Sequence, residues 1–281
     1  MSMRILVPIE LTENHDALLK YSRGMSECLG AEVYLFHVAQ LPDFYITELE
    51  NYGSYEKELQ KAFEYIHSKS LSRLNVVKSE YFGGASNVRC EAKLGKSIYY
   101  EILEYSEKLN PDFIIMGSAV NVKEGNMNIG SNAERLIRMS KVPVMFINEP
   151  VNNFNLRKII FASDFHKDSV EYYRIIDKLF AGQNVSVRLL YINTKSGFEE
   201  YEDIKDRIDK FKKNFSGDFS VVIMAGKNIE SSIVRYAKSI KPDLIVIGVK
   251  KRKGITKRIP DKIAEGVVGL SGFPVLAINL P

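Results

Sequence analysis

Asn110-Pro111-Asp112-Phe113-Ile114-Ile115-Met116-Gly117 returns later in the chain as Lys241-Pro242-Asp243-Leu244-Ile245-Val246-Ile247-Gly248. The same spacing of 131 residues (110 to 241) carries Gly95 onto Gly226 and Val142-Pro143-Val144 onto Phe273-Pro274-Val275. Each version is a Pro-Asp turn followed by an apolar run that ends in glycine, the pattern of a buried strand. A pattern repeated at this length marks a duplicated domain. Differences between the halves can therefore be read as an internal comparison.

Working outward, residues 4–9 and 157–162 are short apolar runs that lead to an acidic position, Glu10 and Asp164. An amphipathic helix follows each, with Ala17, Leu18, Tyr21, Met25 and Leu29 in one half and Val170, Tyr173, Ile176 and Phe180 in the other. Strands are expected at 32–39 and 186–192. A second helix follows, marked by Leu59, Phe63 and Ile66 or by Ile204, Ile208, Phe211 and Phe215. A third strand ends at Gly95 or Gly226, a third helix leads to Pro-Asp, and a fourth helix precedes closing strands at 144–148 and 275–279. Alternating strand and helix argue for α/β architecture: two tandem doubly wound domains, each a five-stranded parallel sheet with helices on both faces. The expected domains are 1–149 and 150–281, joined through an aperiodic Pro- and Asn-rich stretch, 149–155.

The halves differ in length at one place. Glu10 to Asp164 is 154 residues but Gly95 to Gly226 is 131, so the first half carries 23 more between its second and third strands. They fall within the aromatic-rich span 41–89 and read as a longer helix and loop, or as a lid or docking surface. Charge is also uneven. Residues 1–150 hold 16 Lys and Arg against 20 Asp and Glu, whereas 151–281 hold 23 against 15. The loop Lys250-Lys251-Arg252-Lys253 with Lys257-Arg258 concentrates the excess, a solvated loop or an anion contact. Two cysteines, Cys28 and Cys90, are too few for a disulfide framework or a zinc site. No signal-peptide pattern and no apolar run of spanning length is present, so a soluble cytoplasmic protein is expected, with no membrane partner.

The segment after the fourth strand of the first half begins at Gly117 and reaches Gly130-Ser131-Asn132 at the start of a helix expected at 132–139. Phosphate needs converging backbone N–H groups, and bulky side chains block that approach. Glycine at a strand end lets a ligand come close. A helix start supplies free N–H groups and a dipole that favours an anion. Ser131 can add a hydroxyl donor, or serve only as a helix cap. Open parallel sheets bind ligands beyond the carboxyl ends of their strands, where Glu10 is expected to stand.

These residues carry a resemblance. The chain is similar to a tandem universal stress protein through the strand leading into Val7-Pro8-Ile9-Glu10, the mid-domain glycine, Pro111-Asp112 with Met116-Gly117, and the closing strand after Val142-Pro143-Val144. Nucleotide-binding members carry G-x2-G-x9-G-[S/T] after the fourth strand. Gly117, Gly130 and Ser131 match that motif, Val120 stands where its second glycine belongs, and Glu10 stands where the family usually has aspartate. The resemblance implies adenine against the backbone near Pro8, Ile9 and Val38, Met116 and Gly117 beside the nucleoside, and Gly130, Ser131 and Asn132 at the phosphates. In the second half Gly248 remains, but Lys251, Asp261 and Lys262 occupy the other motif positions. ATP, with or without Mg, is thus expected in the first half alone.

No G-x4-G-K-[S/T] loop appears, and His15, His37, His67 and His166 lack ligand spacing. Asp164, His166 and Ser169 have triad residue types but sit too close in sequence to face one another, and read as a turn and helix cap. The expected function is a stress-response protein that binds an adenine nucleotide and acts as a sensor or regulator, hydrolysing ATP slowly at most. The alternatives are an interaction scaffold without nucleotide and a nucleotide-using enzyme. The closing strands are expected to pair within the chain, and chains to form a homo-oligomer. A protein partner of unknown kind is expected, and nucleic acid is not.

Overall fold

The computed structural model describes residues 2–11, 15–40, 56–118, 121–123, 126–148, 154–249 and 262–280. The chain divides into two compact units, Met1–Met116 and Gly117–Pro281. In the first, β1 (Arg4–Pro8), α1 (Asp16–Leu29), β2 (Glu32–Gln40), α2 (Glu56–Phe82), β3 (Val88–Gly95), α3 (Ile98–Leu109) and β4 (Phe113–Gly117) follow one another. The strands lie in the order β4-β1-β2-β3, all parallel.

The second unit opens with a short hairpin, β5 (Asn121–Lys123) and β6 (Asn126–Asn128), then α4 (Ser131–Met139) and β7 (Val144–Ile147). The second half follows as β8 (Lys158–Ala162), α5 (Asp168–Leu179), β9 (Ser186–Thr194), α6 (Tyr201–Lys212), β10 (Phe219–Gly226), α7 (Ile229–Ile240), β11 (Leu244–Val249), α8 (Lys262–Leu270) and β12 (Val275–Asn279). Strands β10-β9-β8-β11-β12 run parallel in that order, and β7 closes the row antiparallel to β12. The expected α/β class with its parallel strands is what the chain adopts.

The repeated Pro-Asp turn has a physical explanation. Asn110 and Lys241 end α3 and α7 in the left-handed conformation, each at φ 49°, and proline then prevents the helix from continuing. The aspartate that follows ties the start of the next strand to the start of the half's first strand. Asp112 Oδ2 accepts the Arg4 N–H at 2.9 Å, while Asp243 Oδ2 accepts those of Arg157 and Lys158 at 2.8 Å. The repeated Gly95 and Gly226 answer to close packing. A side chain at Gly95 would collide with Glu101 in the first turn of the next helix, and one at Gly226 with Ser232.

The expected pairing of the closing strands is present. Val144, Met145 and Phe146 of β7 face Ala277, Leu276 and Val275 of β12, and all six are buried. Each half's final asparagine also closes the last helix of the other half. Asn148 Nδ2 donates to Val268 O and to Ser271 O (2.9 Å) at the end of α8. Asn279 Nδ2 donates to Ile137 O (2.6 Å) and Ser140 O (3.0 Å) at the end of α4. Arg138 reaches Glu265 at 2.7 Å beside them. Asn279 is buried, so Asn279→Leu would leave two helix-end carbonyls without a donor in a dry setting. The variant is expected to lose roughly 2–4 kcal/mol of stability by urea unfolding; an unchanged midpoint would contradict this account.

The length difference between the halves resolves in part into helix. α2 has 27 residues where α6 has 12. Leu74 and Phe82 on its C-terminal stretch are buried, and the helix packs along β3 and β2. Phe63 and Ile66 are only half-buried, so the inward face lies further along than their spacing suggests. Phe44, Tyr45, Tyr52 and Tyr55 lie outside the described residues.

Candidate functional site

The site residues read from the sequence fall on both units. In the first unit Pro8 ends β1 and Glu10 stands exposed two residues later. β4 runs parallel to β1 in the register Ile5 to Phe113 and Leu6 to Ile114, so Met116 is at the same, carboxyl end. β2 continues to Gln40 beyond Phe36, the last partner of β1, and Val38 lies in that overhang. Ile9, Val38 and Met116 have buried side chains, which leaves backbone as their means of contact. The backbone of Ile9 is already engaged: its N–H donates to Phe36 O at 2.8 Å, and its carbonyl accepts from His37 Nδ1 at 2.8 Å. His37 was legible only as a scattered histidine, because this bond depends on strand register.

In the second unit Gly130 meets Ser118, the residue after Gly117, across the intervening hairpin. Gly130 N–H donates to Ser118 O at 2.9 Å, and Ser118 N–H donates to Ile147 O at 3.4 Å. The helix start differs by one residue from expectation. Gly130 is the N-cap, at φ −60° and ψ 147°, and α4 begins at Ser131 rather than at residue 132. No side chain caps this helix, and Ser131 is exposed. Its first-turn N–H groups therefore lack a side-chain cap and carry the positive end of the helix dipole. Val120 lies outside the described residues, as do Lys250–Arg258 of the basic loop and Asp261.

The two halves diverge at the strand-end glycine. Among the described residues, a Cβ placed on Gly117 would meet nothing within 4 Å. A Cβ placed on Gly248 would run into the Tyr172 ring. Tyr172 reaches across from α5, is buried, and donates its hydroxyl to Val249 O at 3.0 Å. The corresponding residue of the first half, at the offset of Glu10 to Asp164, is Leu18. The second half thus fills with its own side chain the ground beside its strand-end glycine.

A polar network continues that filling at the carboxyl end of β9. Arg207 pairs with Glu199 at 2.8 Å, lies over the Tyr191 ring at 5.5 Å, and donates to His166 Nε2 at 3.0 Å. Hydrogen bonding from Arg207 holds the Glu199 carboxyl below the usual range, and burial, followed by Glu199, pushes the Tyr191 hydroxyl up to about 12. The His166 ring is thus held by Arg207. Ser169 Oγ sits 2.7 Å from Ser163 Oγ, and Asp164 Oδ1 accepts the His166 N–H at 3.2 Å. Asp164 Oδ1 also accepts from Ser169 Oγ at 3.5 Å, and together these residues build a turn and helix entry, as the spacing suggested. Among the described residues no group of three His, Cys, Asp or Glu side chains is placed to hold a metal ion, and no helix is long and apolar enough to cross a membrane. Cys28 and Cys90 are not disulfide-bonded and are half-buried, and burial raises both thiols.

Comparison with known proteins agrees with this architecture. The model of the universal stress protein family matches residues 1–148 and 191–279. Universal stress protein MJ0531 of Methanocaldococcus jannaschii is 23% identical over 148 residues, 52% of this chain and 82% of the relative. A universal stress protein from Archaeoglobus fulgidus is similar over 98% of both chains, with a TM-score of 0.68 and 22% identity. A functionally unknown protein, PA1789, from Pseudomonas aeruginosa is similar over 99% of this chain and 92% of its own, with a TM-score of 0.71 and 17% identity. At these identities the solved structures speak to the fold.

Proposed function

The chain belongs to the universal stress protein family, and on that premise we propose that it binds ATP or a related adenine nucleotide through its first half, 1–149. The phosphates fall on the N–H groups that open α4, at Gly130, Ser131 and Asn132, beside Gly117. The nucleoside contacts are Pro8, Ile9, Glu10, Val38 and Met116, with Val120 next to the phosphate end. One observation carries the reading: Gly117 is open while its counterpart Gly248 lies under Tyr172. The second half, 150–281, is then a structural or partner-binding repeat without nucleotide. Occupancy shifts conformation or association, so the protein acts as a nucleotide-dependent sensor or regulator in a stress response, in the cytoplasm and together with a protein partner. Mg²⁺ accompanies the phosphates where they need neutralising, and hydrolysis is slow because no positioned base serves it.

A second reading, an interaction scaffold without nucleotide, is favoured by Val120 in place of the motif's glycine. Two measurements separate them. Protein purified without added ligand should release adenine nucleotide on denaturation, and nucleotide-stripped protein should give saturable heat with ATP at one site per chain. Absence of both would overturn the nucleotide reading in favour of the scaffold. Two sites per chain would overturn the assignment of the second half.

A further inference from the structure

We infer that β10 is an interface strand: its free edge pairs antiparallel with β10 of a second molecule of this chain, about a twofold axis. β10 is outermost in its unit. Its inner side pairs with β9 without a break from Phe219 to Gly226, and among the described residues no strand meets its outer side. Such an edge is a template for pairing, and folded proteins usually guard it with charge, proline, a bulge or a covering element. The matching edge strand of the first half is guarded in two of these ways. β3 carries Arg89, Glu91 and Lys93, and α2 packs along it. At the repeat offset those three charges become Ser220, Val222 and Met224. β10 has no charge and no proline, and α6 has less than half the length of α2.

The short helix leaves an open groove of about 480 Å³ between α6 and β10. Val221 is 40% exposed and Tyr201 57% exposed on its walls, apolar surface that an edge in contact with water alone does not need. The groove also selects its occupant. Lys205 and Asp209 line it one helical turn apart on α6. Within α6 these charges have long, solvent-exposed pairs, Lys205 with Glu202 at 3.9 Å and Asp209 with Lys212 at 3.7 Å; a twofold axis reverses the second molecule and sets Lys205 of each opposite Asp209 of the other. A strand edge flanked by a helix with two opposite charges one turn apart is complementary to itself, which a peptide of arbitrary sequence is not.

The test is the mass of the full-length chain by light scattering and sedimentation over a concentration series. Wild type is expected to show a two-chain mass. Val221→Lys sets like charges against each other across the axis at a position already open to water, and should weaken association about a hundredfold with an unchanged circular dichroism spectrum. Lys205→Asp should weaken it about tenfold, and the double variant Lys205→Asp with Asp209→Lys should restore it. A one-chain mass for wild type at every concentration overturns the inference. So does a two-chain mass that Val221→Lys leaves intact, which would place the contact on another face. Failure of the double variant to restore the association overturns the assigned orientation.

Discussion

Gly130→Asp is expected to remove ATP binding from the first half while leaving the fold in place. Gly130 caps α4 with φ −60° and ψ 147°, a conformation open to any L-residue, so the substitution introduces no backbone strain. Aspartate is a favoured N-cap, so helix stability should hold or rise by a few tenths of a kcal/mol. The same carboxylate bonds the first-turn N–H groups that the phosphates would use, and it repels them. Two unit charges about 4 Å apart at a partly solvated site interact by about 4 kcal/mol, or roughly a thousandfold in Kd. Gly130→Asn separates the two effects, because asparagine caps the helix without the charge and should weaken binding by much less. Calorimetry decides between them. If the aspartate variant binds ATP like wild type, the phosphates are not at this helix start.

Phe146→Pro should have the largest effect on stability. Phe146 is fully buried in the middle of β7 and stands opposite Val275 of β12. Losing the ring costs roughly 3–5 kcal/mol by cavity formation. Proline in a paired strand also disturbs the ladder, which strands inside a sheet do not accommodate. The total, on the order of 5 kcal/mol or more, approaches the whole stability of an ordinary domain. Phe146→Leu is the control: it keeps the ladder and most of the apolar contact, and should cost about 1–2 kcal/mol. Urea unfolding followed by circular dichroism separates the variants. A proline variant with the wild-type midpoint would mean that β7 gains nothing from β12.

Much of this protein was legible along the chain. The Pro-Asp turns, the strand and helix periods and the mid-domain glycines are local signals, because each reflects a backbone conformation or a contact a few residues away. Asn110 and Lys241 must turn left-handed before a proline, and Gly95 and Gly226 must admit the helix that follows them. The candidate phosphate contacts Gly117 and Gly130 were legible by spacing for the same reason. What the tertiary structure alone decided lies between residues far apart in sequence. Two similar closing strands do not declare their partner, and antiparallel pairing follows from β7 and β12 meeting with their asparagines exchanged. Gly117 and Gly248 are the same letter in the same motif. One is open and the other lies under Tyr172, because the outcome depends on which side chain α5 brings over the strand end. The engagement of Ile9 by His37 likewise depends on register across strands, which no local period encodes.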